Sequence, residues 1–261
     1  MFAGELQGRV ALVTGAAGAR SIGRGIALAL ARRGADVAVN DLAYDDEARD
    51  RASEIEALGR RSAVISADVS DPAGCNRLVA EIVRELGRLD ICCANAGVAY
   101  WQELAEVTPD AFEQIVAVNL HGCFFTCQAA AAQMRRQGDG GRIIVTSSVN
   151  AVMPHRRLGV YGATKHAVAH LVSVMAREWA VDGITVNHVG PGWVQSRIND
   201  PSPDFATEEL LAAARASIPV EHRPTEPGEI GEAVAYFAGP GAGHTTGAFL
   251  RVDGGLVIGK Y

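Results

Sequence analysis

Short apolar runs alternate along the whole chain with longer stretches in which apolar positions recur every three or four residues. The runs Val10–Thr14, Asp36–Asp41, Ser62–Ser66, Asp90–Ala94, Arg142–Ser147, Ile184–Val189 and Ala248–Val252 are nearly continuous, the pattern of strands buried on both faces. Between them, amphipathic patterns near 22–33, 46–58, 73–86, 109–136, 159–181, 206–217 and 227–238 predict helices. Asp71-Pro72 and Thr108-Pro109 read as an N-cap followed by proline at the first helical position. The expected class is α/β: a doubly wound parallel sheet of about seven strands, with right-handed crossovers placing helices on both faces. The least regular stretch, 190–225, follows the sixth strand with prolines at 191, 201, 203, 219 and 224. A loop of that length above the carboxyl edge of a sheet is a candidate lid.

Composition narrows the picture. The 261 residues are 48% hydrophobic and show no break in composition, so a single domain over 1–261 is expected. The formal charge is −6 and the arginines are scattered among acids, which argues against nucleic acid as a partner. The arginine pairs 32/33, 60/61 and 135/136 fall near predicted helix C-termini, where cations offset the helix dipole. Met1 to Gly8 lacks the charged-then-apolar pattern of a signal peptide, and no segment is expected to cross a bilayer, so the reading is cytoplasmic with no membrane partner. The five cysteines lack metal-site spacing and read as reduced core residues. His166 and His170 stand i, i+4 without the glutamate of a zinc-protease helix, so no metal is expected.

The basic residues hold a sharper signal. Only two of the 24 are lysines, and the internal one, Lys165, stands four residues after Tyr161 and seventeen after Ser148. On a helix, Tyr161 and Lys165 share one face. An unperturbed phenol titrates near ~10, too high for a base at neutral pH; an ammonium beside it favours the phenolate. Ser148, on another element, is placed to hydrogen-bond a substrate oxygen. The plainer alternative is a surface Tyr and Lys with an unrelated loop serine.

A second cluster supplies context. Thr14-Gly15-Ala16-Ala17-Gly18-Ala19-Arg20-Ser21-Ile22-Gly23-Arg24-Gly25 follows the first strand and opens into a helix. Small residues let the backbone approach a pyrophosphate, and the helix N-terminus offers unpaired N–H groups to hold it. Asp41 ends the second strand, eighteen residues past Gly23. A carboxylate there accepts the adenine ribose hydroxyls and repels a 2′-phosphate, which points to NAD; Arg20 and Arg24 keep NADP open.

Taken together, these motifs resemble the short-chain dehydrogenase/reductase family in its Tyr-x-x-x-Lys branch, over essentially the whole chain. The resemblance implies a Rossmann fold, a catalytic set of Asn119, Ser148, Tyr161 and Lys165, and hydride exchange between nicotinamide and a secondary alcohol or ketone. It assigns Gly15, Arg20, Ser21, Ile22 and Gly23 to the phosphates, Asp68-Val69 to the adenine, and Asn95, Ala96 and Gly97 to the segment after the fourth strand. Tyr161 and Lys165 would also hold the cofactor. Pro191, Gly192, Val194 and Ser196 are similar to the element that grips the nicotinamide carboxamide, and Val252-Asp253-Gly254-Gly255 to the family's C-terminal signature. Asn119 matches the asparagine that holds a water behind the lysine. There are departures. The glycine loop is two residues longer than usual, with Ser21 where the middle glycine falls, a form similar to enoyl-thioester reductases, whose tyrosine and lysine stand seven apart rather than four. Ala94 replaces an asparagine and Ser196 a threonine.

The partner implied is a small-molecule substrate. Asn150, His155, Arg156 and Arg157, between Ser148 and Tyr161, are expected to form a polar, partly cationic pocket wall, with Trp193, Tyr100 and Trp101 as flat surfaces. That wall suits a sugar, polyol or hydroxy acid; a 3-oxoacyl thioester reductase and a non-catalytic nucleotide sensor are the alternatives. The helices near 109–136 and 159–181 are apolar around most of their circumference and are expected to pair in a homodimer or homotetramer.

Overall fold

β-Branched and small apolar residues fill seven strands: β1 (Val10–Thr14), β2 (Asp36–Asp41), β3 (Ser62–Ser66), β4 (Ile91–Ala94), β5 (Gly141–Thr146), β6 (Ile184–Pro191) and β7 (Phe249–Val252). They form one all-parallel sheet in the order β3-β2-β1-β4-β5-β6-β7 in a computed structural model that describes residues 4–196 and 208–258. This is the doubly wound α/β architecture expected from the alternation of runs. β6 extends past its apolar run through Gly190 and Pro191, because β7 continues to pair with it as far as Pro191 opposite Val252.

The helices are α1 (Ile22–Arg32), α2 (Asp46–Ala57), α3 (Pro72–Leu86), α4 (Pro109–Val116), α5 (Cys123–Gln137), α6 (Gly159–Trp179), α7 (Glu208–Ala216) and α8 (Pro227–Ala238). Their starts are chemically marked. Asp71 accepts from the N–H groups of Ala73 and Gly74, and Thr108 from that of Ala111, each ahead of a proline. One core layer packs α3, α5 and α6 on a sheet face through Leu78, Ile82, Met134, Val172 and Met175. The other packs α1 and α8 on the opposite face through Ile26, Leu30, Val234 and Phe237. In that second layer the helices touch backbone to backbone: a Cβ on Gly25 would stand 2.1 Å from Pro227 O, and one on Gly231 2.2 Å from Gly25 O.

Two expectations need correction. The continuous helix read over 109–136 is interrupted by a π-helical turn, Ala117–Gly122, between α4 and α5. Gly122 lies there against Val69, and a Cβ would approach Val69 Cγ2 to 2.9 Å. A single turn is too short to impose a sequence period of its own, so the apolar pattern runs through it unmarked. The same stretch, Pro109–Gln137, is also long and apolar enough to cross a membrane by length and composition, contrary to the reading that no segment is; Gln114 to Met134 carries no Asp, Glu, Lys or Arg. Half of its most apolar window is buried inside the molecule.

The fold also buries a histidine with no partner, among the described residues, for one ring nitrogen. His188, on β6, is 4% exposed and stacks on Phe249 with ring centroids 4.4 Å apart, leaving Nδ1 unbonded. Burial disfavours the imidazolium and lowers His188 to about 4. In the unfolded chain the imidazole titrates near ~6.5, so the unfolded state binds the proton first as pH falls. Stability from this group is therefore whole above about 6.5 and is lost between about 6.5 and about 4. Between pH 7 and pH 5 the loss is about 2 kcal/mol, or roughly 4 to 8 °C in melting temperature. Thermal melts of His188→Phe at the two pH values are expected to show that much less acid sensitivity than wild type, and equal sensitivity would remove His188 as its cause.

Candidate active site

The crevice begins where the strand order turns back, at the carboxyl ends of β1 and β4. Thr14 closes β1, and its hydroxyl accepts from the N–H groups of Asn95 and Ala96 at 2.9 Å each, while Asn95 Nδ2 donates to Thr14 O at 2.9 Å. The two strand ends are thereby tied together at the floor of a cleft of about 480 Å³.

The glycine loop walls one end. Gly15 has φ +63°, a conformation that disfavours side chains, and Gly23 leaves no room for one: its Cβ would stand 2.3 Å from Gly15 O and 2.7 Å from Ala16 Cα. Ser21 caps α1 by accepting from Arg24 N–H at 2.9 Å. Gly15, Gly18, Arg20, Ser21 and Ile22 line this end, with Asp41 facing them from β2. Gly23 is a packing contact behind the lining rather than part of it. The two extra residues of the loop are braced at Ala17. Its N–H donates to Asp41 Oδ2 at 3.0 Å, and its carbonyl accepts from Arg51 Nε at 3.4 Å. Arg51 is 2% exposed and ion-paired to Glu54, which also takes Arg24 through two bonds of 3.1 and 2.9 Å. Arg24, read as a candidate for a 2′-phosphate, is thus engaged away from the crevice, whereas Arg20 lines it.

The other end gathers Ser148, Tyr161 and Lys165 into the same lining. α6 places Tyr161 and Lys165 on one face, with Lys165 Nζ 5.5 Å from the Tyr161 ring centroid. Lys165 is 5% exposed, and its ammonium donates to Thr146 O at 2.9 Å. Ser148 Oγ accepts from the backbone N–H of Asn150 at 3.1 Å and from its Nδ2 at 3.4 Å. With both lone pairs of Oγ engaged, the serine O–H remains available as a donor of its own. Asn119 sits in the π-helical turn, 1% exposed, and its carboxamide bonds both ways to Val98, accepting from N–H at 2.8 Å and donating to O at 2.9 Å. Pro191 at the end of β6, with Gly192, Val194 and Ser196 beyond it, completes the wall. Gly192 packs against Asp253, whose Cα a glycine Cβ would approach to 2.8 Å.

Not every residue read from the sequence arrives here. Asp68 caps Ser70 N–H, and Val69 packs against the π-helical turn; neither lines the cleft. His155 and Arg156 are exposed, and Trp193 lies just outside the lining. The cationic wall is absent from it: Arg156 Nη2 and Arg157 Nε both bond Glu103 Oε1, at 3.3 and 2.8 Å, on the outer rim. The lid expected over 190–225 lies partly outside the described residues. Val98, Ala99, Thr146, Ser147 and Leu158 join the lining without having been singled out; Leu158 falls between the serine and the tyrosine, which was the available signal.

The cleft fits a dinucleotide. A cradle that a Cβ would fill faces an acceptor carboxylate at one end, and at the other the Ser196 hydroxyl is buried with no partner among the described residues. Fold and cleft together define a nicotinamide-dependent oxidoreductase acting on CH–OH groups. The chain belongs to the short-chain dehydrogenase/reductase family, whose model described as "Enoyl-(Acyl carrier protein) reductase" matches residues 15–257. It is 37% identical to L-rhamnose 1-dehydrogenase (NAD(P)(+)) of Sphingomonas sp. strain SKA58 over 253 residues, 97% of this chain and 98% of that one. Among solved structures, a short-chain type dehydrogenase/reductase from Mycobacterium marinum superposes with a TM-score of 0.90 at 34% identity, covering 97% of both chains. Carveol dehydrogenase from Mycobacterium avium in complex with NAD does so with 0.91 at 29% identity, covering 98% of this chain and 99% of that one.

Gly23→Ala tests the cradle. Its methyl group must displace Gly15 or Ala16, and NADH affinity, read by fluorescence titration, is expected to fall at least ~10-fold. Unchanged affinity would show that the loop does not depend on that close approach.

Proposed function

We propose that this protein interconverts a secondary alcohol and the corresponding ketone on a sugar, polyol or hydroxy acid, with NAD preferred over NADP. The observation that carries the reading is that Ser148, Tyr161 and Lys165 line the same cleft as the glycine loop and Asp41. Bound there, the nicotinamide would supply the hydride acceptor or donor. The residues of the chain do the rest. Ser148 donates its O–H to the substrate oxygen, and Tyr161 takes the hydroxyl proton in oxidation or returns it in reduction. Lys165, anchored by Thr146 O, keeps a positive charge beside the phenol. Asn119 holds Val98 and the adjoining chain against the cleft floor, and Ser196 offers its hydroxyl to the carboxamide.

The Asp41 carboxylate supports NAD, since it would face a 2′-phosphate with like charge, and Glu54 already engages Arg24. The Sphingomonas relative is named for L-rhamnose and supports a sugar. The long glycine loop and the name of the family model favour an enoyl-thioester reductase, against which the four-residue spacing of Tyr161 and Lys165 favours carbonyl chemistry; a 3-oxoacyl thioester reductase is the second reading, and Asp41 counts against the NADPH it would prefer. We also infer a cytoplasmic homodimer or homotetramer paired through α4, α5 and α6, where Phe112 and Val174 stand exposed.

A panel of sugars, polyols, hydroxy acids, steroids and acyl thioesters, run with NAD and NADP in parallel, tests the reading. Turnover is expected on sugars, polyols or hydroxy acids with NAD, and Tyr161→Phe should lower kcat by ~10²–10⁴ while NADH binding persists. Turnover confined to acyl thioesters, or no effect of Tyr161→Phe, would overturn it. Light scattering at micromolar concentration is expected to give a dimer or tetramer mass, against a monomer if the helical faces do not pair.

A further inference from the structure

Arg51 is a buried cation that the reaction does not use. Helix α2 turns Ala48, Arg51 and Ile55 inward, at the i, i+3, i+7 spacing of a core-facing stripe, and Ala48 and Ile55 are fully buried. Arginine stands where an apolar side chain would pack, and it is 2% exposed. Taking a guanidinium out of water costs free energy that one ion pair does not by itself return. That pair is with Glu54 on the same helix, whose side chain is 37% exposed. The other bond of Arg51 leaves the helix: Nε donates to Ala17 O in the glycine loop at 3.4 Å.

Ala17 joins that arginine to the adenosine end of the cleft. It is 4% exposed and lies behind the lining, between Gly15 and Gly18, which face the cleft. Its N–H donates to Asp41 Oδ2 at 3.0 Å. The other carboxylate oxygen, Oδ1, accepts from the N–H of Leu42, its own neighbour in the chain, at 3.0 Å. Among the described residues, Ala17 is therefore the one group distant in sequence that fixes which way the Asp41 carboxylate points. Among the same residues, Arg51 is the partner of Ala17 O. Without the guanidinium that carbonyl becomes a buried acceptor short of a donor, and the loop gains by carrying it toward water.

We propose that Arg51 is a positioning residue for cofactor choice. By holding Ala17 O it keeps the Ala17 N–H on Asp41, and so keeps the carboxylate turned to the place of the adenosine ribose. The proposal rests on the reading of Asp41 as the carboxylate that selects NAD, and adds to it a residue acting from outside the cleft. Loss of Arg51 releases loop and carboxylate together. A looser loop weakens both cofactors at the pyrophosphate, whereas a looser Asp41 weakens the hold on ribose hydroxyls and relieves the repulsion of a 2′-phosphate. NADH therefore loses more than NADPH. Glu54 is left partly in solvent and still bonded to Arg24, so no charge is stranded in the core.

Fluorescence titration of the full-length protein with NADH and with NADPH tests this without any substrate. Arg51→Met keeps the stem and loses the guanidinium; NADH affinity is expected to fall about three- to tenfold, and the preference for NADH over NADPH by at least ~3-fold. Arg51→Lys keeps the charge beside Glu54 without the planar fork and should give an intermediate loss. In an Asp41→Ala background, Arg51→Met should leave the remaining NADH-to-NADPH ratio unmoved, because the arginine acts through that carboxylate. Thermal melting of Arg51→Met without cofactor is expected close to wild type, since methionine suits the apolar site. A preference that both Arg51 variants keep, even with a lower melting temperature or with both affinities equally reduced, overturns the proposal and leaves Arg51 a packing residue. A shift of undiminished size in the Asp41→Ala background overturns it as well. Wild type that prefers NADPH, or binds neither nucleotide, overturns the reading of Asp41 itself and this inference with it.

Discussion

The tie between the ends of β1 and β4 is the constraint on which the site depends. A doubly wound sheet changes direction at that pair, so the connections leave on opposite faces and a crevice opens between them. Opening it exposes strand ends with unpaired N–H groups, and Thr14 answers with a buried hydroxyl that accepts two of them. The same residue fixes the start of the glycine loop, because Gly15 turns with positive φ directly over Ala96. Valine at position 14 would keep the shape and lose the acceptor, leaving two N–H groups without their hydroxyl partner at the floor of the cleft. The loop that would meet the pyrophosphate and the segment that leads to the reacting end are therefore positioned by one side chain.

From that floor the reacting end is built by reach rather than by proximity in sequence. Lys165 lies on α6, yet its ammonium is held by a carbonyl of β5, which stops the long stem from sampling solvent and keeps the charge beside Tyr161. Opposite, the π-helical turn carries Asn119, whose carboxamide bonds Val98 through both its oxygen and its nitrogen and also reaches Thr164 Oγ1 on α6 at 3.4 Å. A regular helix through 117–122 would have to place Gly122 differently against Val69, where no side chain fits. The turn is thus enforced by packing on one side and used by the site on the other, the usual setting of such irregularities.

The strands and the Tyr161, Lys165 and Ser148 set were legible because period, length and spacing are local properties of a sequence. What escaped was decided by partners far along the chain. Arg156 and Arg157 read as a pocket wall from their place between Ser148 and Tyr161, but their carboxylate stands 54 positions before Arg157. Arg24 read as a phosphate ligand from its loop, and its partner is Glu54 on the next helix. In both cases the chain around the arginine was placed correctly and the guanidinium was not, since a long charged side chain goes where its counter-ion is. Glycines show the converse: Gly25 and Gly231 look like weak helix positions, and only the facing backbone reveals why neither has a side chain.

Asp41 joins the length of the glycine loop to the choice of cofactor. Its Oδ2 accepts the Ala17 N–H of the extended loop while Oδ1 accepts Leu42 N–H, so both carboxylate oxygens are oriented before any ribose arrives. On the far side Arg51, buried and paired with Glu54, takes the carbonyl of that same Ala17. The two added residues therefore do not leave the loop slack; they give it a peptide unit that β2 and α2 grip from either side. A change at Asp41 made to admit a 2′-phosphate would release one of those grips as well as one negative charge. Altered cofactor choice at this position is consequently coupled to loop order, and the Arg51–Glu54 pair is the part of the brace that would remain to hold it.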